Sequence, residues 1–251
     1  MISKRHADIL KILDSSGTVT VAELANLLGV STETVRRDLR PLVEDGAVHR
    51  MHGAVSLTGP TAEAPFRRRM RENAPAKQAI AARVAATILD GQTVMLDTGT
   101  TTSFIARALT GHRRLRVVTN SMDVARTLAV TGGNRVFLTA GEVRPDSGAA
   151  LGPAAVAHVL QFRADVAVIS AGGVDALAVT DYDPDEAEFA RALLTCAPRR
   201  VVATDATKFG RRGLVAVVGF DGMDELVTDA APPAVIASAM AAGGARLVLA
   251  G

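Results

Sequence analysis

The 251 residues contain a single cysteine, Cys196. No disulfide or clustered-thiol metal site can form within one chain, and the apolar, helix-patterned surroundings of Cys196 read as those of a small buried hydrophobe. The histidines His6, His49, His52, His112 and His158 lack the spacing of metal ligands, and no cofactor is expected. Long apolar runs are missing as well. The charge-free stretch from Ala230 to Ala245 is broken by Pro232-Pro233 and Gly243-Gly244, which argues against a membrane span. The start, Met1 to His6, is polar and has no apolar signal region, so the cytoplasm is the expected compartment. An excess of one charge is also lacking: the net is +2, too small to name a partner. With 48% hydrophobic and 22% charged residues, the length suits one large or two modest globular domains.

Local pattern carries what bulk composition does not. Val35, Leu39 and Leu42 fall at helical spacing and form one apolar stripe, behind Ser31 as an N-cap whose hydroxyl can accept from an NH near Thr34. The opposite face holds Thr32, Thr34, Arg36, Arg37 and Arg40. Short hydroxyls at the tip suit base edges, and arginines behind them suit phosphates. Upstream, Ile9, Leu10 and Leu13 mark one helix, Thr18 to Val21 a short extended piece, and Ala22 to Leu28 a second helix stopped by Gly29. Helix, glycine turn and basic helix in that order form a helix-turn-helix, with the second helix of the pair offered to the major groove. Gly46 to Gly53 reads as a tight hairpin whose Arg50 and His52 would lie against the DNA backbone as a wing. Residues 1–57 hold seven basic groups against seven acidic ones, and four of the basic groups lie on the recognition helix and wing. Position, not total charge, suits them to replace phosphate counterions.

A boundary falls between Ser56 and Ala76, punctuated by Gly59-Pro60, Pro65 and Pro75. The segment Phe66-Arg67-Arg68-Arg69-Met70-Arg71 within it reads either as an arm following DNA or as a linker that packs on a domain. The expected division is a DNA-binding domain at 1–57, a linker at 58–76 and a sensor domain at 77–251.

Beyond the linker, apolar strand-like runs alternate with amphipathic helical stretches. The strands are expected at 93–96, 116–118, 136–138, 166–169, 201–203, 226–227 and 247–249. Helices are expected at 76–89, 103–109, 122–129, 186–195 and 234–242. This alternation predicts an α/β fold, a mainly parallel sheet with helices on both faces. Ligands of such sheets sit beyond the carboxyl ends of the strands. The strand ends here are polar: Asp97-Thr98-Gly99-Thr100-Thr101-Thr102, Thr119-Asn120-Ser121, Gly172-Gly173-Val174-Asp175 and Asp205-Ala206-Thr207-Lys208. The first of them makes an anion site of a glycine turn, hydroxyls and a helix start. It has neither the lysine of a Walker loop nor the three glycines of a dinucleotide fingerprint, so neither ATP nor NAD is indicated. The groups together suit a phosphorylated sugar. Backbone NH groups with Thr100, Thr101 and Thr102 would hold the phosphate, Asn120, Asp175 and Lys208 would address hydroxyls or carbonyl, and Glu186 would reach the same rim. Asp97, Gly99, Ser121 and Gly173 complete the expected site.

Both halves resemble the DeoR family of bacterial transcriptional regulators. The resemblance rests on Val21 to Ala25, Val30-Ser31, Thr34 to Leu39 and Arg50 to Gly53, then on the 97–102 loop, Thr119 to Ser121, Arg144, Gly152, Gly173 to Asp175, Glu186-Ala187 and Asp205 to Gly210. Ala54 stands where that family usually has a second wing glycine, Ala140 precedes Gly141 in place of a glycine pair, and 176–182 lacks the usual glycine-rich run. The resemblance implies a winged helix-turn-helix followed by a sensor related in fold to ribose-5-phosphate isomerase, and release of DNA on binding a phosphorylated sugar or related metabolite. The expected function is a sequence-specific regulator, a repressor of a carbohydrate or nucleoside catabolic operon. Its partners would be double-stranded operator DNA, the sugar phosphate and further copies of itself, because one short recognition helix reads too few base pairs. The alternative is a sugar-phosphate isomerase with an attached DNA-binding module, using Asp175 or Glu186 as base and Lys208 as electrophile.

Overall fold

The computed structural model describes residues 4–16, 18–51, 54–57 and 63–251. The chain forms two compact units, Met1–Arg69 and Met70–Gly251.

The first unit contains α1 (Lys4–Ser16), β1 (Val19–Thr20), α2 (Val21–Leu28), α3 (Thr32–Glu44), β2 (Val48–Met51), β3 (Ala54–Leu57) and the short α4 (Phe66–Arg69). Its helices start and stop where local chemistry dictates. Thr20 caps α2 in a reciprocal box with Glu23, and Gly29 ends α2 in left-handed geometry at φ 65°. Ser31 accepts from the Thr34 NH at 3.1 Å and opens α3. The stripe Val35, Leu39 and Leu42 then packs with Ile9, Leu13, Leu24 and Val55 in one core. At 1% exposure or less, Val35 and Leu39 each contribute about 1.5–3 kcal/mol of apolar burial. The hairpin is longer than Gly46 to Gly53: β2 pairs with β3 from Val48↔Leu57 to Met51↔Ala54, and β1 joins the far side of β3. An alternating stretch bounded by turn residues reveals only one of its two strands, so the partner strand escaped the sequence pattern.

The segment before Met70 belongs to this first unit. Arg68 donates to the Asp45 carbonyl at the end of α3 at 2.9 Å, and Arg69 pairs with Glu63 at 2.9 Å. Gly46, at φ 64°, gives way to Pro65: a Cβ there would lie 1.8 Å from the proline Cδ.

The second unit runs through α5 (Ala74–Ala85), β4 (Thr93–Leu96), α6 (Thr100–Ala108), β5 (Arg116–Thr119), α7 (Met122–Ala129), β6 (Arg135–Leu138), β7 (Glu142–Val143), β8 (Ala150–Leu151), α8 (Pro153–Val159), β9 (Val166–Ile169), β10 (Gly173–Val174), β11 (Val179–Asp181), α9 (Pro184–Leu194), β12 (Arg199–Ala203), β13 (Val215–Val218), β14 (Glu225–Thr228), α10 (Ala234–Gly243) and β15 (Arg246–Leu249). Seven strands form one sheet in the order β15-β14-β12-β9-β4-β5-β6, every pairing parallel. Alternate residues of each strand serve opposite layers. Val94, Leu96, Val117 and Val166 pack with α5, α6 and α7 in one core, and Met95, Val118, Ala167 and Ile169 with α8, α9 and α10 in the other. This is the period of two expected of a strand buried on both faces. The strand order winds outward from β4 through β5 to β6, then returns to lay β9 on the other side of β4 and winds outward again. The winding direction therefore reverses between β4 and β9, the place where open α/β sheets bind ligands. The sequence pattern missed α8, the β7–β8 hairpin and the antiparallel sheet β10-β11-β13, all built from elements too short to show a period.

Candidate DNA interface and ligand site

On α3 the expected DNA-reading residues share the outer face. Ser31, Thr32, Arg36, Arg37 and Arg40 are exposed, and Thr34 is half-buried. Two of the arginines lie in ion pairs along the helix, Arg36 with Glu33 at 3.5 Å and Arg40 with Glu44 at 3.0 Å. Exposed pairs of this kind are worth well under about 1 kcal/mol and yield readily to a phosphate. The Ser31 and Thr34 hydroxyls are 2.8 Å apart. Arg50 lies on β2 opposite Val55, and His52 lies outside the described residues. A residue pair the sequence pattern did not reveal fixes the helix from behind. Asp38, on α3, takes two hydrogen bonds from Arg5 of α1, one of them Nη2 to Oδ1 at 3.0 Å, and the Arg5 guanidinium holds the Asp38 carboxyl below the usual carboxylate range. The two residues are far apart in the chain, so no local period could connect them.

In the second unit the rim is assembled at the β4–β9 reversal. Gly99 abuts the end of β9 so closely that a Cβ would lie 2.0 Å from Ser170 Oγ, so any side chain there would have to turn the Ser170 hydroxyl aside. Asp97 points inward: its carboxylate accepts from the Ser170 NH at 3.0 and 3.2 Å and is 6% exposed. Burial pushes its pKa well above the usual carboxylate range, the Ser170 NH pulls the other way, and the negative charges of Glu186 and Asp181 push it further up. Glu186 and Asp181 therefore lie within electrostatic reach of Asp97. Ser170 is the member of this rim that sequence reasoning missed; a serine at a strand end has no distinguishing local pattern.

The Thr100, Thr101 and Thr102 side chains are buried in the first turn of α6. Thr102 Oγ1 donates to the Asp97 and Gly99 carbonyls, 3.1 Å each, and so shapes the loop from inside. Ser121 likewise accepts the Val124 NH at 3.3 Å as the cap of α7, and Asp175 accepts the Leu177 and Ala178 NH groups in the β10–β11 turn. Gly173 pairs with Thr180, and Lys208 sits half-buried in a 3-10 turn after β12.

Asn120 behaves differently. It follows β5 directly, beside the Asp97 loop, and is fully buried, yet both Oδ1 and Nδ2 lack a hydrogen-bond partner. Thr98 Oγ1, Ser103 Oγ and Thr139 Oγ1, at neighbouring strand and helix ends, share that condition. An unmet buried polar group costs about 1–3 kcal/mol. Several of them at one strand-end rim form a set of donors and acceptors suited to a polar ligand.

A DNA-reading helix-turn-helix joined to an α/β sensor defines a ligand-responsive regulator. The DeoR-like helix-turn-helix domain matches residues 5–61 and the DeoR C terminal sensor domain matches residues 72–230. The chain is 34% identical over 232 residues to the glycerol-3-phosphate regulon repressor of Escherichia coli (strain K12), covering 92% of each. It is 34% identical over 246 residues to the HTH-type transcriptional repressor CsqR of the same strain, covering 98% of this chain and 94% of that one. Among solved structures, translation initiation factor eIF-2B of Pyrococcus horikoshii OT3 aligns with 62% of this chain and 63% of its own, at 19% identity and a TM-score of 0.43. The chain belongs to the DeoR family. It is a DNA-binding transcriptional regulator and not an enzyme. No helix among the described residues is long and apolar enough to cross a membrane.

Proposed function

We propose that the chain is a repressor of a carbohydrate or nucleoside catabolic operon, and that it leaves its operator when a phosphorylated sugar or polyol phosphate occupies the strand-end site. In this reading residues 1–57 hold operator DNA, 58–76 join the domains and 77–251 sense the ligand, and the protein acts as a homo-oligomer in the cytoplasm. The observation that carries it is Asn120, a fully buried amide with both heteroatoms unpartnered beside a glycine-threonine loop at a helix start. A ligand offering hydroxyls to the amide and a phosphate to the backbone NH groups of that loop satisfies both. Lys208 and Glu186 supply the charged contacts to the rest of it. The relative named for the glycerol-3-phosphate regulon directs the choice of probe. The ligand acts by binding one arrangement of the oligomer better than another, and its leverage on DNA cannot exceed that difference.

The test titrates full-length protein onto a duplex selected by that protein from a random library, with and without glycerol 3-phosphate, pentose phosphates and hexose phosphates. At least one phosphorylated compound is expected to weaken the complex while its unphosphorylated counterpart does not; no response to any of them refutes the ligand reading. Arg37→Ala is expected to weaken the complex by about 1–3 kcal/mol, the usual worth of one specific contact. Unchanged affinity would refute the docking of α3.

A further inference from the structure

The chain enters the second unit through a turn that is bonded to the ligand rim. Asn73, the residue before α5, has φ 52° and ψ 33°, a left-handed geometry that asparagine tolerates better than most side chains. Its side chain makes no capping bond to its own helix. Instead Nδ2 donates to Asp205 Oδ1 and to Thr207 Oγ1, each at 3.2 Å. Asp205 is 2% exposed, and the same Oδ1 also accepts the Thr207 NH at 3.1 Å. Both of these bonds to Oδ1 end on a carboxylate and are charge-assisted. The loop they hold is the 3-10 turn Ala206–Lys208, which presents Lys208.

On the other side of Asn73 the chain is closed from within. Lys77 is 3% exposed, its ammonium donates to the Glu72 carbonyl at 2.9 Å, and its own NH bonds the Asn73 carbonyl at 3.0 Å. A displacement of the Asp205 loop therefore moves a braced turn instead of being lost in slack chain. Met70, Arg71 and Glu72 alone separate Asn73 from Arg69, where the other unit ends.

We infer that Asn73 is the positioning residue of the Asp205–Lys208 loop and the joint through which occupancy of the ligand site reaches the linker. This rests on the ligand-gated reading above. A ligand that draws on Lys208 changes what Thr207 and Asp205 offer Asn73, and the difference is delivered to the residues that lead to the DNA-binding unit. Coupling of two sites requires such an element, bonded differently in the two states.

Asn73→Gly separates the role of the side chain from that of the backbone. Glycine accepts left-handed geometry, so the turn is kept and the donors are lost. Asn73→Asp keeps the geometry but turns a carboxylate on Asp205. Full-length variants are compared on the selected duplex, with glycerol 3-phosphate and the sugar phosphates raised until the thermal shift of each protein saturates. Both variants should bind the ligand-free duplex within about threefold of the parent. The release factor, about 5- to 150-fold for coupled sites, should fall below about twofold. Release equal to the parent's overturns the joint. If no phosphorylated compound releases the parent, the ligand reading fails, and hydrogen exchange without ligand decides the joint separately. Asn73→Gly should then speed exchange about tenfold at both 70–77 and 205–208, while β4 and β9 keep their protection. Unchanged exchange at either segment overturns it.

Discussion

The two ends of the parallel sheet carry similar numbers of polar side chains and use them in opposite ways. At the end where the strands begin, charges are matched. Glu225 takes both Nε and Nη2 of Arg199, at 3.0 and 3.1 Å, and Arg246 Nη2 at 2.8 Å. Arg200 grips Asp224, and Asp165 accepts the Thr93 NH. Burial works to raise the Glu225 pKa, but the bonds from Arg199 and Arg246 outweigh it and hold the carboxyl below the ordinary glutamate range. At the end where the strands finish, Asn120 and Thr139 are buried without partners and Asp97 is held against its preference for water. Pairing marks the end where the strands begin, and unmet demand marks the end proposed to take the ligand.

The largest test of that contrast breaks the matched end. Glu225→Ala strips a carboxylate from two arginines, and the second unit should lose about 2–3 kcal/mol, read as a lower melting transition in calorimetry of the full chain. A change below about 0.5 kcal/mol would mean that the network is ornamental, as many exposed ion pairs are. The next largest effect has the opposite sign. Asp97→Asn removes a buried acid whose folded pKa lies above its unfolded one, so the parent is relatively most stable in acid and loses that contribution as pH rises through the folded value. The variant should melt higher at neutral pH, with the gap closing as pH is lowered through the folded value of the Asp97 carboxyl. Equal melting at neutral pH would show that Asp97 is comfortable where it is. The smallest effect sharpens the comparison most. Asn120→Leu should leave stability unchanged or slightly raised, because no bond is lost and an unmet group is removed, yet abolish ligand-driven release of DNA. A loss of several kcal/mol would refute the view of Asn120 as an unmet group.

Much of the architecture was legible because its causes are local. Ser31, Thr20 and Gly29 act within one turn of themselves, and the strands of the large sheet stand out as contiguous apolar runs such as Val166 to Ile169. The polar rim could be located for the same reason, since each loop follows its strand directly. What the side chains do there was less accessible. Thr102 and Ser121 look like ligand groups in the sequence, but their hydroxyls serve the loop and the helix cap. Ser170, Asn73 and the Arg5–Asp38 pair act across the fold, at separations where no period or spacing survives.

The seam at Gly99 sets a limit on how this sensor can diverge. With the Ser170 hydroxyl in the space a Cβ would need, a side chain at Gly99 must first turn that hydroxyl aside. A lineage that turns to a new nutrient can rewrite side chains around the rim singly, but a change at Gly99 calls for a matching change at Ser170.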